Sequence, residues 1–575
     1  MKRNIITTIA ISTLVGLCLI SCNKVLEKPN LGVYTGDLVW TSETQTSAYL
    51  NSIYAAQLPG WSYNGSASDE ATDGSQGMAD YLKGIATIDS YDAYSYAGID
   101  AINLFLSKID GAPYPADDIK HLKGQALFWR AWAYFKMVKA YGGVPLILQV
   151  QDAQHPQSLF VKRNKSSECF IQMEKDLTDA ANLLPDSWSG NDWGRIDKGA
   201  ALAFLGKVGM WWASPLFNPG NDQARWQAAY TATKAAKDFL ASQGKGLYPD
   251  YGGIWYNKAN SEVIIVNQFY APDHYKSDAP IRPEGITEGD FGHDQAVLAL
   301  VNTYPMKDGS AFDPAKPKAY DTLFKYRDNR FYATLAYNGS AYNTPDFKPG
   351  EKIWTGYDVN GISLEKTFIP GSAVANRSGF WQIKGMDHTV DANHVAMAAV
   401  DWLEMRYAEV LMNYGECANE AGHTGEALQV IYDIRKRAGI LPGSISTYGV
   451  TASGTAAIRE AYVKERFVEF AFENKRWDDL RRWRRFDILN TQQTRGAIHM
   501  MMKPGFSNPV ITDDINDPAV WSKFTPQIVN NIEDPSAIFN LSDKQYFYGL
   551  PKRHLDANPN LQQNNNWGGA FDPLQ

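Results

Sequence analysis

The densest reactive chemistry in the 575-residue sequence lies between Glu465 and Trp483. Glu465, Glu469 and Glu473 recur every fourth residue, so one helix face would carry three carboxylates in a row. Like charges at that spacing repel, and the acids require cationic partners. Arg466 and Arg476 lie beside that line. This pattern reads as a network of Glu–Arg pairs tying helices together over Phe470 and Trp477, in preference to an acid–base pair for catalysis. The nine histidines include no His-Glu-x-x-His frame, and the four cysteines no Cys-x-x-Cys. His388 and His394 share a loop without a ligand spacing. Neither a Gly-x-Ser-x-Gly elbow nor a phosphate-cradling glycine loop is present. The expectation is therefore no catalytic set, no metal and no cofactor. Paired carboxylates for sugar hydrolysis need only lie about 5–10 Å apart in space, and no spacing in the sequence nominates a pair.

One residue is marked for covalent modification. Lys2 and Arg3 precede an uncharged stretch from Ile5 to Ile20, and Leu19-Ile20-Ser21-Cys22 closes it. Residues 1–21 have the layout of a secretory signal peptide. Their Leu-x-Ser-Cys end resembles the bacterial lipobox, in which the cysteine is acylated and becomes the new N-terminus. Each buried methylene of such a chain contributes about 0.8 kcal/mol, so two or three chains hold a protein firmly to a membrane. The apolar run is shorter than the ~20 residues a spanning helix requires. Residues 22–34, polar with Pro29 and Gly32, read as a tether. Cys169 and Cys417 sit in apolar helical patterns and are expected as packed thiols, with a disulfide between them the alternative.

The formal charge is −8, and loss of residues 1–21 removes two further cations. That balance argues against a nucleic-acid surface, which wants a basic face. Aromatic residues make up 13% of the chain, with 17 Trp and 31 Tyr. Flat rings with a polar handle suit ligands that alternate apolar and hydroxylated faces.

Periodicity sets the elements that must position these groups. Apolar spacings of three and four predict helices over 48–56, 96–107, 122–141, 166–184, 198–213 and 226–240. Gly142-Gly143 and Pro145 stop the third. From 244 to 395, Gly, Pro, Asn and Asp are frequent and short β-like runs such as 262–266 appear, which reads as an elaborated insertion. Helices return at Trp402, with a stripe of Leu403, Tyr407, Val410, Tyr414 and Cys417, a turn at 422–425, and a second helix over 427–438. Two helices joined by four residues form an antiparallel hairpin. Leu411-x2-Tyr414-Gly415-x2-Ala418 followed by Ala427-x3-Ile431 resembles a tetratricopeptide unit, with the small Gly415 letting the second helix approach. A further helix is expected over 458–472, and 486–575 reads as largely irregular. The expected architecture is mainly α. It is one domain over 35–575, with a tetratricopeptide-like helical-pair scaffold at about 45–243 and 396–485. A large loop and short-strand insertion at about 244–395 interrupts it.

The 465–483 segment is similar to the signature of the SusD/RagB family, surface glycan-binding lipoproteins of polysaccharide-uptake systems. Other resemblances run in order along the chain. Segment 123–146 carries Trp129-Arg130-Ala131 and ends in Tyr141-Gly142-Gly143-Val144-Pro145. It is followed by 194–201, 213–218, 304–309 and 326–331, and by Leu550-Pro551 with 558–564. Gln125 stands where the family often has Glu. The first acid after Cys22 is Glu27, behind Asn23-Lys24-Val25-Leu26, whereas acids just after the lipidated cysteine favour surface export.

The resemblance implies a non-catalytic receptor, lipid-anchored at the outer membrane and facing the cell surface. It would capture glycan beside a SusC-like TonB-dependent transporter. It places the ligand on loops 61–97 and about 340–381. The residues in those loops are Trp61, Tyr63, Asp69, Tyr91 and Tyr94, then Trp354 and Tyr357 in an exposed aromatic hairpin, and Arg377; Tyr96 is expected in the core. A peptide-binding member of the same family and a glycoside hydrolase are the alternatives.

Overall fold

The computed structural model describes residues 38–575 apart from 75–76, 153, 288–291, 315, 317–322, 370 and 373–375. The expected signal segment, Cys22 and the tether lie outside the described residues.

Local chemistry accounts for the helices of the first half. They are α1 (Glu43–Gln57), α2 (Ala97–Ile109), α3 (Ala116–Tyr141), α4 (Ser166–Leu183), α5 (Lys198–Ala213) and α6 (Gln223–Ser242). α3 follows Pro115 and carries Asp117 and Asp118 in its first turn, where negative charge meets the positive end of the helix dipole. It stops at Gly142, whose φ of 78° favours glycine. Asp197 caps α5 by accepting the Ala200 N–H at 2.8 Å, and Asp222 caps α6 by accepting that of Ala224 at 2.9 Å. Each of α3 to α6 packs against the next. α7 (Tyr407–Glu420) and α8 (Thr424–Arg437) form the next pair, and α7 also lies against α6 and α9 (Thr455–Glu469). One apolar core runs through these helices and includes Trp129, Tyr134, Phe204, Trp211, Met412 and Ile431. Cys169 and Cys417 are buried in it as free thiols.

The scaffold is therefore mainly α, as the periodicity predicts. The stripe from Trp402 proves to be two elements. Residues Trp402–Arg406 form a strand that pairs antiparallel with Val263–Asn267, and the helix starts only at Tyr407. The apolar run is buried on both faces there, so a 3.6-residue period and a strand read alike. The C-terminal stretch expected to be largely irregular contains a six-residue antiparallel pair, Ala497–Met502 with Phe524–Val529. A second core gathers Trp354, Phe380, Phe467, Phe472, Ile498 and Phe524 beneath the insertion.

The acids of the 465–483 motif find their cations. Glu465 pairs with Arg330 and Arg435. Glu469 pairs with Arg330, Arg406 and Arg437, and Glu473 with Arg406 and Lys384. All of these groups are buried apart from the partly buried Arg435 and Arg437. The partners come from the insertion, the 402–406 strand and α8. α9 ends at Glu469, short of the expected 472, so Glu473 lies in the turn beyond it, and the three acids together form the junction between the two cores.

Candidate binding site

A cavity of about 640 Å³ opens where four distant parts of the chain meet. Its walls are loop residues within 64–73 and 77–83, the end of α3 at Lys139 and Ala140, a short helix α10 (Arg476–Arg482), and Tyr91 with Tyr548. α10 organises the rest. Arg476 at its start makes a two-point ion pair with Asp69, both bonds 2.8 Å, which fixes the loop against the helix. Trp477 and Arg481, four residues apart on one helix face, grip the C-terminal segment. The Trp477 Nε1–H donates to the Tyr548 hydroxyl at 2.7 Å, and Arg481 Nη2 donates to the carbonyls of Tyr546 and Lys139, each at 2.7 Å. Tyr548 then supports Tyr91, their rings stacked at 3.9 Å and 19°. The Tyr141 hydroxyl, contacting the Ala93 N–H and the Tyr91 carbonyl, holds the backbone of that loop.

The cavity thus presents the rings of Tyr81, Tyr91, Trp477 and Tyr548 among polar side chains. Lys139 meets Asp478 at 2.5 Å, and Lys83 meets Asp80 at 2.9 Å. Burial would raise the Asp478 carboxyl, but Lys139 and Arg481 outweigh it and hold the group below the usual carboxylate range. Glu70 goes the other way. It is enclosed, with the Phe472 N–H at 2.9 Å and the Ser68 hydroxyl at 3.1 Å, and burial lifts its carboxyl to about 8. Among the described residues no group of three or more His, Cys, Asp or Glu is placed to hold a metal ion. No helix among them is long and apolar enough to cross a membrane.

The sequence-predicted site residues separate into several places. Tyr91 lines this cavity. Tyr94 lines a neighbouring one of about 360 Å³ with Gln57, Ser95 and Arg553. Trp61 and Tyr63 stack on each other at 5.9 Å beside Lys276, whose ammonium donates to the Tyr63 hydroxyl at 2.6 Å. The Trp61 Nε1–H is taken by the Val400 carbonyl at 2.9 Å. Its ring lies over Gly385, where a Cβ would come within 1.9 Å. Tyr357 and Arg377 meet around His499, which reaches the Arg377 carbonyl at 2.8 Å and faces the Tyr357 ring at 4.9 Å.

Two expectations are corrected. Trp354 is not on an exposed hairpin: its ring is 0% exposed, stacked on Phe524 in the second core. Asp69 is 1% exposed and fully engaged by Arg476, so it shapes the wall and offers no free oxygen to a ligand. Tyr81, Trp477 and Tyr548 escape notice in the sequence. Trp477 reads as packing beneath the charged motif, yet it is only half-buried. The signal that marks it is its place next to Asp478-Asp479, outside any apolar stripe.

A model of the SusD family matches residues 252–567, over half of the chain. The chain belongs to the SusD family. A second model, described as starch-binding and associating with the outer membrane, matches residues 25–210 of this SusD-family protein. A SusD-like protein P2 of Formosa agariphila is 23% identical over 497 residues, covering 81% of this chain and 88% of its own. A SusD-like carbohydrate-binding protein of Bacteroides fragilis has a similar structure, with a TM-score of 0.69 and 25% identity over 91% of this chain and 99% of that one. A laminarin-binding SusD-like protein shares the fold at a TM-score of 0.61 and 18% identity, over 91% of this chain and 99% of that one.

Proposed function

We propose that this SusD-family protein is a glycan-binding lipoprotein, anchored through Cys22 at the outer membrane and facing the cell surface. It captures an oligosaccharide and passes it to a SusC-like TonB-dependent transporter without cleaving it. The observation that carries the reading is the ring-lined cavity. A sugar ring offers a C–H face for stacking and hydroxyls for orienting bonds, and a cavity combining Tyr81, Tyr91 and Trp477 with Asn64, Asn474 and paired charges meets both needs. The family membership and the carbohydrate-binding relatives support it. Trp61, Tyr63, Tyr94, Tyr357 and Arg377 lie off the cavity and would serve as contacts for a longer chain.

Native affinity electrophoresis of the purified full-length protein in gels containing polysaccharides tests the capture. Tyr91→Ala should lower affinity up to about tenfold, since one ring contact is worth about 0.5–1.5 kcal/mol, and should leave the melting temperature within about a degree. Retardation by no glycan defeats the reading, and reducing sugar released by the purified protein would replace it with a hydrolase. Mass spectrometry of the N-terminal peptide checks acylation of Cys22, and co-purification of a TonB-dependent receptor checks the partner.

A further inference from the structure

Among the described residues, every cation on the cavity wall already has a carboxylate. Lys83 is held by Asp80, and Lys139 by Asp478. Arg481, 2% exposed, spends its guanidinium on Asp478 at 3.7 Å and on the carbonyls of Tyr546 and Lys139. On the acidic side, Asp73 contacts His293 at 3.0 Å, and Glu70 takes hydrogen bonds from Phe472 and Ser68. A uronate or sulfate entering this space would find no unclaimed cation, and it would be brought against Asp73, Asp80 and Asp478. Stripping it of water without a partner is costly. An uncharged sugar meets rings, hydroxyls and amides, and displaces none of these pairs.

From this pairing, and resting on the glycan reading above, we infer that the cavity selects uncharged saccharides over uronate- or sulfate-bearing ones. The balance is local. Burial holds the Glu70 carboxyl in its neutral form, so the wall carries three cations and three carboxylates near neutral pH. Selection then comes from shape and stacking, and binding is insensitive to salt, because no ion pair between ligand and protein is there to be screened.

The test is affinity electrophoresis of the full-length protein against laminarin, galactomannan and arabinoxylan on one side and polygalacturonate, alginate and chondroitin sulfate on the other, each at low and high NaCl. The expected result is retardation by at least one neutral polymer, unchanged by salt, and none by the anionic set. Asp80→Asn, on the exposed rim, and Asp478→Asn each release a lysine. Each should gain binding to polygalacturonate of about threefold to fivefold, the scale of one partly exposed charge pair, and the gain should vanish at high salt. Asp80→Asn serves as the check should Asp478→Asn fold poorly. Strong, salt-sensitive retardation of the unaltered protein by an anionic polymer, exceeding that of every neutral one, overturns the inference while leaving glycan capture intact. Failure of all six polymers to retard the protein overturns both.

Discussion

Asp69 and Glu70 are adjacent in the chain and meet different partners. Asp69 faces Arg476 at two points inside the wall of the cavity. Removing one member of a buried pair leaves the other charged and unpartnered, which costs about 3–5 kcal/mol. Asp69→Asn should therefore lower stability by that order in urea unfolding, and a loss under 1 kcal/mol would show that the pair contributes little. Among the described residues Glu70 has no cation at bonding distance, and burial moves its carboxyl from 4.5 to about 8. A folded-state value above the unfolded one means the native protein holds the proton longer. The stability this gives is complete below pH 4.5 and is lost as pH rises towards 8. Glu70→Gln keeps an oxygen for the Phe472 N–H and removes the titration. Its melting temperature should match the parent's at pH 4.5 and exceed it by a growing margin up to pH 8; equal pH profiles would contradict the assignment. Of the predicted site residues, Tyr91 was legible because a Tyr-rich loop precedes a helix. Trp354 was not, because an alternating aromatic stretch looks the same on an exposed hairpin and in a core.

At the scale of elements, the tetratricopeptide-like pair shows where a spacing rule gives the correct residue and an incomplete reason. Gly415 lies on α7, and the sequence assigns its smallness to the approach of α8. In the fold a Cβ there would meet Val430 of α8 at 3.0 Å, a tight contact, and the Tyr462 hydroxyl of α9 at 1.9 Å, a severe one. The third helix sets the constraint. Tyr462 is itself fixed by donating to the Ala427 carbonyl at 2.8 Å, so it has no easy retreat. Gly415→Ala should cost about 1–3 kcal/mol through overpacking. Pairing it with Tyr462→Phe, which removes the clashing oxygen, should recover part of that loss in a double-mutant cycle; strict additivity would mean the two do not meet. The strand at 402–406 has the same lesson. Its partner, 263–267, lies more than a hundred residues away, and no local period can distinguish a buried strand from the first turn of the helix that follows.

Across the whole molecule, Glu469 links parts that the chain order separates. It binds Arg330 from the insertion, Arg406 from the 402–406 strand and Arg437 from α8. Burial would raise its carboxyl, but the three guanidiniums hold it far below the usual range. A depressed folded-state value means the stability it provides is present above the unfolded value of 4.5 and is lost as pH falls below it. Glu469→Gln should cost about 3 kcal/mol at pH 7 by leaving buried arginines short of charge, and should show a shallower acid-unfolding slope below pH 4.5. Tryptophans sit in both cores, so fluorescence and far-UV circular dichroism of the parent should report one coincident transition. Two separate transitions would mean the junction does not couple the cores.

The sequence by itself determined the helical scaffold, the order of the pairs, the need of the 465–483 acids for arginines and the family, because periodicity, caps and charge spacing act over a few residues and leave local marks. Only the tertiary structure decided which rings are reachable. Tyr91, Trp477 and Tyr548 come together because Arg476 finds Asp69 and Arg481 finds the Tyr546 carbonyl, contacts spanning 407 and 65 positions of sequence. Whether an aromatic ring faces a ligand or a core depends on what packs against its faces, and that information lies in other parts of the chain.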